Sequence, residues 1–237
     1  MMPTRFVCSA AALAVLVLCG CGAQAFAPAA AERPAAAGDA RCAFGAFVQE
    51  DDPAGLNVRD APGVSGAVLG TLPPTLHGVG EFKMDVRIEV EVSGARGGWF
   101  HVAHAQDNDA LTGRPARPVY EGEGWVSGRK LTVKSQATAG RAAPGMKSEA
   151  LARFDDGGAF DGDEMVAAGH LVGCQGGWAQ VEFADAALPA PLRKRLTVKP
   201  AARAGLPSGT FRIWLDQVCG VQETTCDGLA DDDPGRH

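Results

Sequence analysis

The sequence predicts an all-β fold of two small modules in tandem, behind a signal peptide and a flexible tether. Three observations carry this expectation. The chain repeats three motifs in one order. Gly55-Leu56-Asn57-Val58-Arg59-Asp60-Ala61-Pro62-Gly63, Gly97-Gly98-Trp99-Phe100-His101-Val102 and Gly124-Trp125-Val126 come first. Gly140-Arg141-Ala142-Ala143-Pro144-Gly145, Gly176-Gly177-Trp178-Ala179-Gln180-Val181 and Ile213-Trp214-Leu215 follow. Short runs rich in Val, Ile, Phe and Trp alternate with Gly/Pro/Asp turn clusters, as strands and their connections do. No stretch beyond the first residues keeps a helical period, and the longest helical candidate, residues 148–154, is too short to stand alone.

Residues 1–21 are the expected signal peptide. Arg5 supplies a positive start, residues 7–18 an apolar run too short to span a membrane, and small residues follow. Leu18-Cys19-Gly20-Cys21 resembles a bacterial lipobox, which makes Cys21 the lipidation candidate; Ala23-Gln24-Ala25 is the alternative cleavage site of a soluble exported form. Residues 22–41 read as a tether. Between Ala23 and Ala40 the chain is rich in Ala and Pro, with only Glu32, Arg33 and Asp39 charged, and cannot bury enough apolar surface to offset its ordering entropy.

Modules of residues 42–134 and 135–226 follow. In the first, residues 43–48, 86–92, 99–104, 124–126 and 131–133 read as strands. The strict alternation of Val86-Arg87-Ile88-Glu89-Val90-Glu91-Val92 puts Val86, Ile88, Val90 and Val92 on one buried face. In the second, residues 165–172, 178–183, 211–215 and 218–222 play the same part. Spacing supports duplication. Arg59 to Arg141 and Leu69 to Leu151 are both offset by 82, Trp99 to Trp178 by 79 and Trp125 to Trp214 by 89, so register drifts only where loops change length. Residues 227–237, with Asp231-Asp232-Asp233, read as a disordered acidic tail.

Cysteine usage agrees with export. Once Cys8, Cys19 and Cys21 are set aside, Cys42, Cys174, Cys219 and Cys226 remain, an even number that suggests two disulfides with three connectivities. The short Cys219–Cys226 segment containing Gly220 favours that pair, leaving Cys42 to join Cys174 across the repeat. A zinc site lacks any C-x-x-C pair. The net charge is −6, or −7 once Arg5 leaves with the signal (21 basic against 28 acidic side chains), which argues against nucleic acid as a partner. With 6% aromatics and 31 glycines, two modest cores suit the chain better than one large one.

Gly55-Leu56-Asn57-Val58-Arg59-Asp60-Ala61-Pro62-Gly63, followed by Val68-Leu69-Gly70-Thr71-Leu72, Gly98-Trp99-Phe100-His101-Val102 and Gly124-Trp125-Val126 with Leu131, resembles a bacterial SH3-like (SH3b) domain. The second copy resembles it less closely, and its Trp214 lacks the preceding glycine. The resemblance implies two small SH3-like barrels and a binding module that recognises cell-wall peptide or another envelope component. The alternative is a scaffold or assembly lipoprotein that binds an envelope protein through enlarged hairpin loops. The expected location is the envelope: anchored by lipid alone and facing the periplasm or cell surface, or soluble and exported.

The copies differ most in two insertions, residues 106–123 and 185–210, where binding residues often sit. Candidates are Tyr120, Arg114 and Arg117 in the first, and Arg193, Lys194 and Arg195 in the second, whose basic run continues to Lys199 and Arg203. The four tryptophans occupy matching strand positions and are expected to pack in cores. His101 and His104, three apart on a strand, point to opposite faces, and His77 and His170 have no fixed relation to them, so no metal is expected. Asp155, Asp156, Asp161, Asp163 and Glu164 break the alternation of a calcium loop and read as solvated. No G-x-S-x-G, P-loop or paired-carboxylate motif appears, so neither catalytic residues nor a cofactor are expected.

Overall fold

The computed structural model describes residues 39–222. The expected signal peptide, Cys21, most of the expected tether, Cys226 and the expected acidic tail lie outside the described residues. Within them the protein is all-β, as expected. A first sheet runs in the order β3 (Val68–Leu72), β2 (Leu56–Arg59), β8 (Gly124–Ser127), β7 (Trp99–Gln106), β6 (Glu89–Arg96), β1 (Ala40–Val48) and β9 (Leu131–Thr132). A second runs β14 (Leu196–Val198), β11 (Ala150–Phe154), β10 (Gly140–Arg141), β15 (Thr210–Leu215), β13 (Trp178–Ala184) and β12 (Gly169–Gln175). The hairpin β4 (Leu76–Val79) and β5 (Met84–Val86) stands apart from both. All strand pairs are antiparallel. Neither sheet closes on itself, because the end strands of each order do not pair. The structure therefore departs from the closed barrels that the resemblance implied.

The duplication is visible in the strand order. β3-β2-β8-β7-β6 in the first sheet and β11-β10-β15-β13-β12 in the second are the same five strands in the same arrangement. Register agrees residue by residue: Arg59 faces Trp125 as Arg141 faces Trp214, and His101 faces Trp125 as Gln180 faces Trp214. A bulge interrupts both first hairpins at the equivalent residues Leu69 and Leu151. The Gly missing before Trp214 has a steric reason. A Cβ on Gly124 would lie 2.6 Å from Val58 Cγ1, and one on Gly140 would lie 2.2 Å from Ile213 Cδ1. The large and small partners have exchanged strands between copies, which conserves the filled volume.

Strands β7, β13 and β15 follow the two-residue period. Phe100 and Val102 of β7, Ala179, Val181 and Phe183 of β13, and Phe211, Ile213 and Leu215 of β15 point inward and are buried. These residues belong to one continuous core that draws on both halves. Several contacts hold the halves together. Ala43 N–H donates to Gly176 O (2.9 Å) and Gly176 N–H to Arg41 O (2.8 Å), beside the Cys42–Cys174 disulfide. A Cβ on Gly128 would meet Leu171 O at 2.5 Å. Thr132 Oγ1 donates to Val166 O in helix α2 (Asp163–Ala168).

Several local expectations are corrected. Of the segment 165–172 read as a strand, residues 165–168 belong to α2, with Met165, Val166 and Ala168 as its buried side, and only the rest enters β12. Residues 148–154, too short to stand as a helix, lead into β11 instead. Val86, Ile88, Val90 and Val92 are buried as the alternation requires, but so are Arg87 and Glu89. The reason is residue Gln222: its N–H donates to Glu89 Oε1 (2.8 Å), and its side-chain oxygen accepts from Arg87 N–H (2.8 Å). Residues 218–222 thus form no named strand and instead strap the second half onto the first.

Candidate binding surface

The sheet alternation that buries Phe100 and Val126 turns Trp99, His101 and Trp125 to the opposite face. None of the four tryptophans belongs to the buried core; Trp99, Trp125, Trp178 and Trp214 are all half-buried. The expectation that they build cores is therefore corrected. The inward places are taken by their neighbours, and the rings cover the outside of each sheet.

In the first copy, His101 meets Trp125 edge-on with ring centroids 5.3 Å apart, and the Arg96 guanidinium lies 5.4 Å from the Trp125 centroid. Arg96 is paired with Asp39, which holds its pKa above the ordinary arginine value. His101 Nδ1 is 2.9 Å from Ser93 Oγ. From the other side, Arg59 lies opposite Trp125 in β2 and donates from Nη1 to Gly66 O (2.7 Å), fastening the turn between β2 and β3. The second copy repeats the frame with Arg141 opposite Trp214, Gln180 in the place of His101, and Arg141 Nη1 donating to Ser148 O (2.8 Å). Each copy thus presents two tryptophans and an arginine on one sheet face. Such a surface can stack planar or small apolar groups and pair a carboxylate.

The insertion residues go elsewhere. Tyr120 lies across Gly70 and Gly122, where a Cβ on either glycine would meet its ring or hydroxyl at 2.3 Å. Arg117 grips Asp107 from Nη2 (2.6 Å) and Nε (3.0 Å) and Pro74 O from Nη1 (2.5 Å). Burial pushes the Asp107 carboxyl up, but the bonds from Arg117 outweigh it and hold the pKa below the ordinary value. Arg114 is exposed, just past helix α1 (Asp109–Thr112). Arg193, Lys194 and Arg195 are exposed on helix α3 (Ala190–Arg195), and Arg195 pairs with Asp156 while lying 5.9 Å from the Phe154 ring centroid. The two sets attach to different sheets. Beside α3 are two shallow cavities. One of about 240 Å³ is lined by Phe154, Asp161, Glu164, Met165, Leu192 and Arg195, and one of about 200 Å³ by Leu188, Arg193 and the Asp185–Arg203 ion pair.

Cys42 and Cys174 are joined, with Cα atoms 5.6 Å apart. Cys219 is disulfide-bonded as well; the Cys226 of its expected pair lies outside the described residues. His104 is 2.7 Å from Glu91 and His101 turns to Ser93, and no group of three ligand-type side chains fit to hold a metal ion occurs among the described residues. Sequence reasoning missed one polar chain. His77 Nε2 is 3.0 Å from Asp51, its Nδ1 is 2.9 Å from Asp85, and Asp85 pairs with the buried Arg87 at 3.1 Å. These residues come from three separate segments, so no local pattern signals them.

Fold and surface together define the class: an all-β protein of two topologically equivalent sheets, each carrying a tryptophan–arginine face. Among known proteins, no family model, curated protein or solved structure matches the chain. No helix among the described residues is long and apolar enough to cross a membrane. The disulfides suit an oxidising compartment.

Proposed function

We propose that the protein is a non-catalytic binding module of the cell envelope, exported and held at a membrane through lipid on Cys21, and that it recognises cell-wall peptide through SH3b-like units. The observation that supports this most is the repeated face of half-exposed tryptophans beside Arg59 and Arg141. Duplicated, weakly binding surfaces on one chain raise avidity when the ligand itself is a repeating polymer. Ring faces would hold small apolar side chains of the peptide, and guanidinium edges its carboxylates.

The test is co-sedimentation with purified peptidoglycan. The proposal expects recovery of the wild-type protein and at least a tenfold loss for the Trp125→Ala, Trp214→Ala double variant. Wild-type protein left wholly in the supernatant would overturn it. Anchoring is tested separately: Cys21→Ser should move the protein to the soluble fraction, and a variant that stays with membranes excludes the anchor.

The second reading, an assembly factor that binds an envelope protein, draws on α3, whose exposed Arg193 and Lys194 leave cationic side chains toward solvent. Crosslinking from Arg195 or Tyr120 positions to a single protein partner would favour it.

A further inference from the structure

The two copies treat one sheet edge differently. In the second copy, β11 is covered by β14: Ala152, Arg153 and Phe154 face Val198, Thr197 and Leu196. Two further backbone bonds extend the pairing, Lys199 N–H to Leu151 O (2.8 Å) and Asp155 N–H to Arg195 O (2.9 Å). In the first copy the equivalent strand, β3, ends the sheet and pairs only with β2. Its insertion does not supply a strand; it places Tyr120 against the face of Gly70 instead.

Exposure follows this difference. Leu151 is 5% exposed, whereas its counterpart Leu69 is 45% exposed, beside Val68 at 51% and Val64 at 81%. Other edges are guarded. β14 is three residues long and flanked by Arg195 and Lys199, and β12 is bridged at its end by β1 through Cys42 and Gly176. β3 has five residues, Val68-Leu69-Gly70-Thr71-Leu72, with no charge and no proline among them; Pro73 and Pro74 close its end, and its bulge at Leu69 is shared with β11, which accepts β14 all the same.

We propose that the β3 edge binds an extended segment of a partner protein, added antiparallel as β14 is added to β11. The chemistry of the segment follows from the same comparison. β14 is held by charged flanks: Lys199 pairs with Glu149 (2.8 Å), Arg195 with Asp156, and Thr197 with Asp155 (2.7 Å). At the offset of 82 these three acids correspond to Ala67, Pro73 and Pro74. The charges at the two ends are already engaged, Asp60 accepting from Ala67 N–H (2.8 Å) and Arg117 donating to Pro74 O (2.5 Å), so the β3 occupant is an uncharged strand with alternating apolar residues, and its binding is insensitive to salt. This surface is the rim of the sheet, distinct from the tryptophan face, so peptidoglycan binding can fail without affecting it.

The experiment uses two nonapeptides that span residues 193–201. One has the native sequence and the other has Arg193, Lys194, Arg195 and Lys199 replaced by glutamine. Each is titrated into the whole exported protein by fluorescence anisotropy, with amide shifts read at Val68, Leu69 and Thr71. By equivalence to Leu151, whose carbonyl accepts from Lys199 N–H (2.8 Å), the Leu69 backbone faces the open edge, so Leu69→Pro sets a ring against that edge and blocks the approach of an added strand. Val68→Lys is a second, milder block. The expected result is binding of the neutral peptide, unchanged between low and high salt. Both variants should weaken it at least tenfold, and Phe82→Ser on the separate hairpin should leave it unchanged.

No binding at millimolar peptide, or binding that both variants leave intact, overturns the proposal. A clear, salt-sensitive preference for the basic peptide overturns the assigned chemistry. Self-association of the wild type that Leu69→Pro abolishes shows that a second copy fills the edge, and also overturns it.

Discussion

Cys42 in β1 is bonded to Cys174 in β12, at a sequence separation of 132 and with the Cα atoms 5.6 Å apart. The bond ties the first strand of one sheet to an edge strand of the other, where main-chain bonds between Ala43, Arg41 and Gly176 already join them. Closing so long a loop restricts the unfolded chain strongly, by about 4–5 kcal/mol on the chain-entropy model. The Cys42→Ser, Cys174→Ser double variant should therefore lose a stability of that order in urea denaturation under non-reducing conditions. A loss below about 1 kcal/mol would mean that the main-chain bonds and the shared core suffice to join the halves.

Arg87 offers a test of opposite sign. Its guanidinium is buried, pairs with Asp85 at 3.1 Å, and leaves Nε and Nη1 without partners among the described residues. Burial lowers its pKa despite the nearby Asp85, Asp163 and Asp51 carboxylates. A buried ion pair this poorly satisfied recovers little of its desolvation cost. Arg87→Met is expected to leave stability unchanged or raise it by about 1–2 kcal/mol, whereas Asp85→Asn, which strands the charge, should cost about 3 kcal/mol. Equilibrium urea curves on both variants check the sign.

His77 makes part of the stability depend on pH. Its ring bonds to Asp85 and Asp51, and both favour the imidazolium, so its pKa is raised above 6.5. The contribution is fully present below about 6.5 and is lost as pH rises through the higher folded value. The side chain is 57% exposed, so the effect is held to under about 1 kcal/mol. His170 works the other way, because burial lowers its pKa and stability falls as the pH drops below its unfolded value. Comparison with His77→Gln isolates the first group. Wild type should exceed the variant at pH 5.5 and converge with it by about pH 8; a constant gap would rule out titration of His77 as the cause.

These groups show where sequence reading stops. The all-β class and the duplication were legible because two-residue alternation and Gly/Pro turns are local signals. The tryptophans misled because their size suggests burial, while strand parity gives the inward places to Phe100, Val126, Ala179 and Ile213. Met165, Val166 and Ala168 read as a strand because a short apolar run has no period of its own, and only packing against the first half makes it α2. The strap at Gln222 and the His77 chain depend on contacts between distant segments. The tryptophan–arginine face was present in the repeated motifs, but its outward direction became visible only once the register was known.

The exchange of size between copies yields the sharpest test of the repeat. Val58 and Gly124 in the first sheet occupy the diagonal relation that Gly140 and Ile213 hold in the second, and each glycine leaves no room for a Cβ. Gly140→Val forces its methyls into Ile213 and should cost about 1–3 kcal/mol by overpacking. Ile213→Gly removes a buried side chain and should cost more, by the lost transfer energy and the cavity. Combined, the two substitutions rebuild the arrangement of the first copy. The double variant should then be more stable than the sum of the single changes predicts by at least about 1 kcal/mol, read from a double-mutant cycle of urea midpoints. Strict additivity would show that the second sheet is held by other contacts at this crossing, and that the shared register does not extend to shared packing.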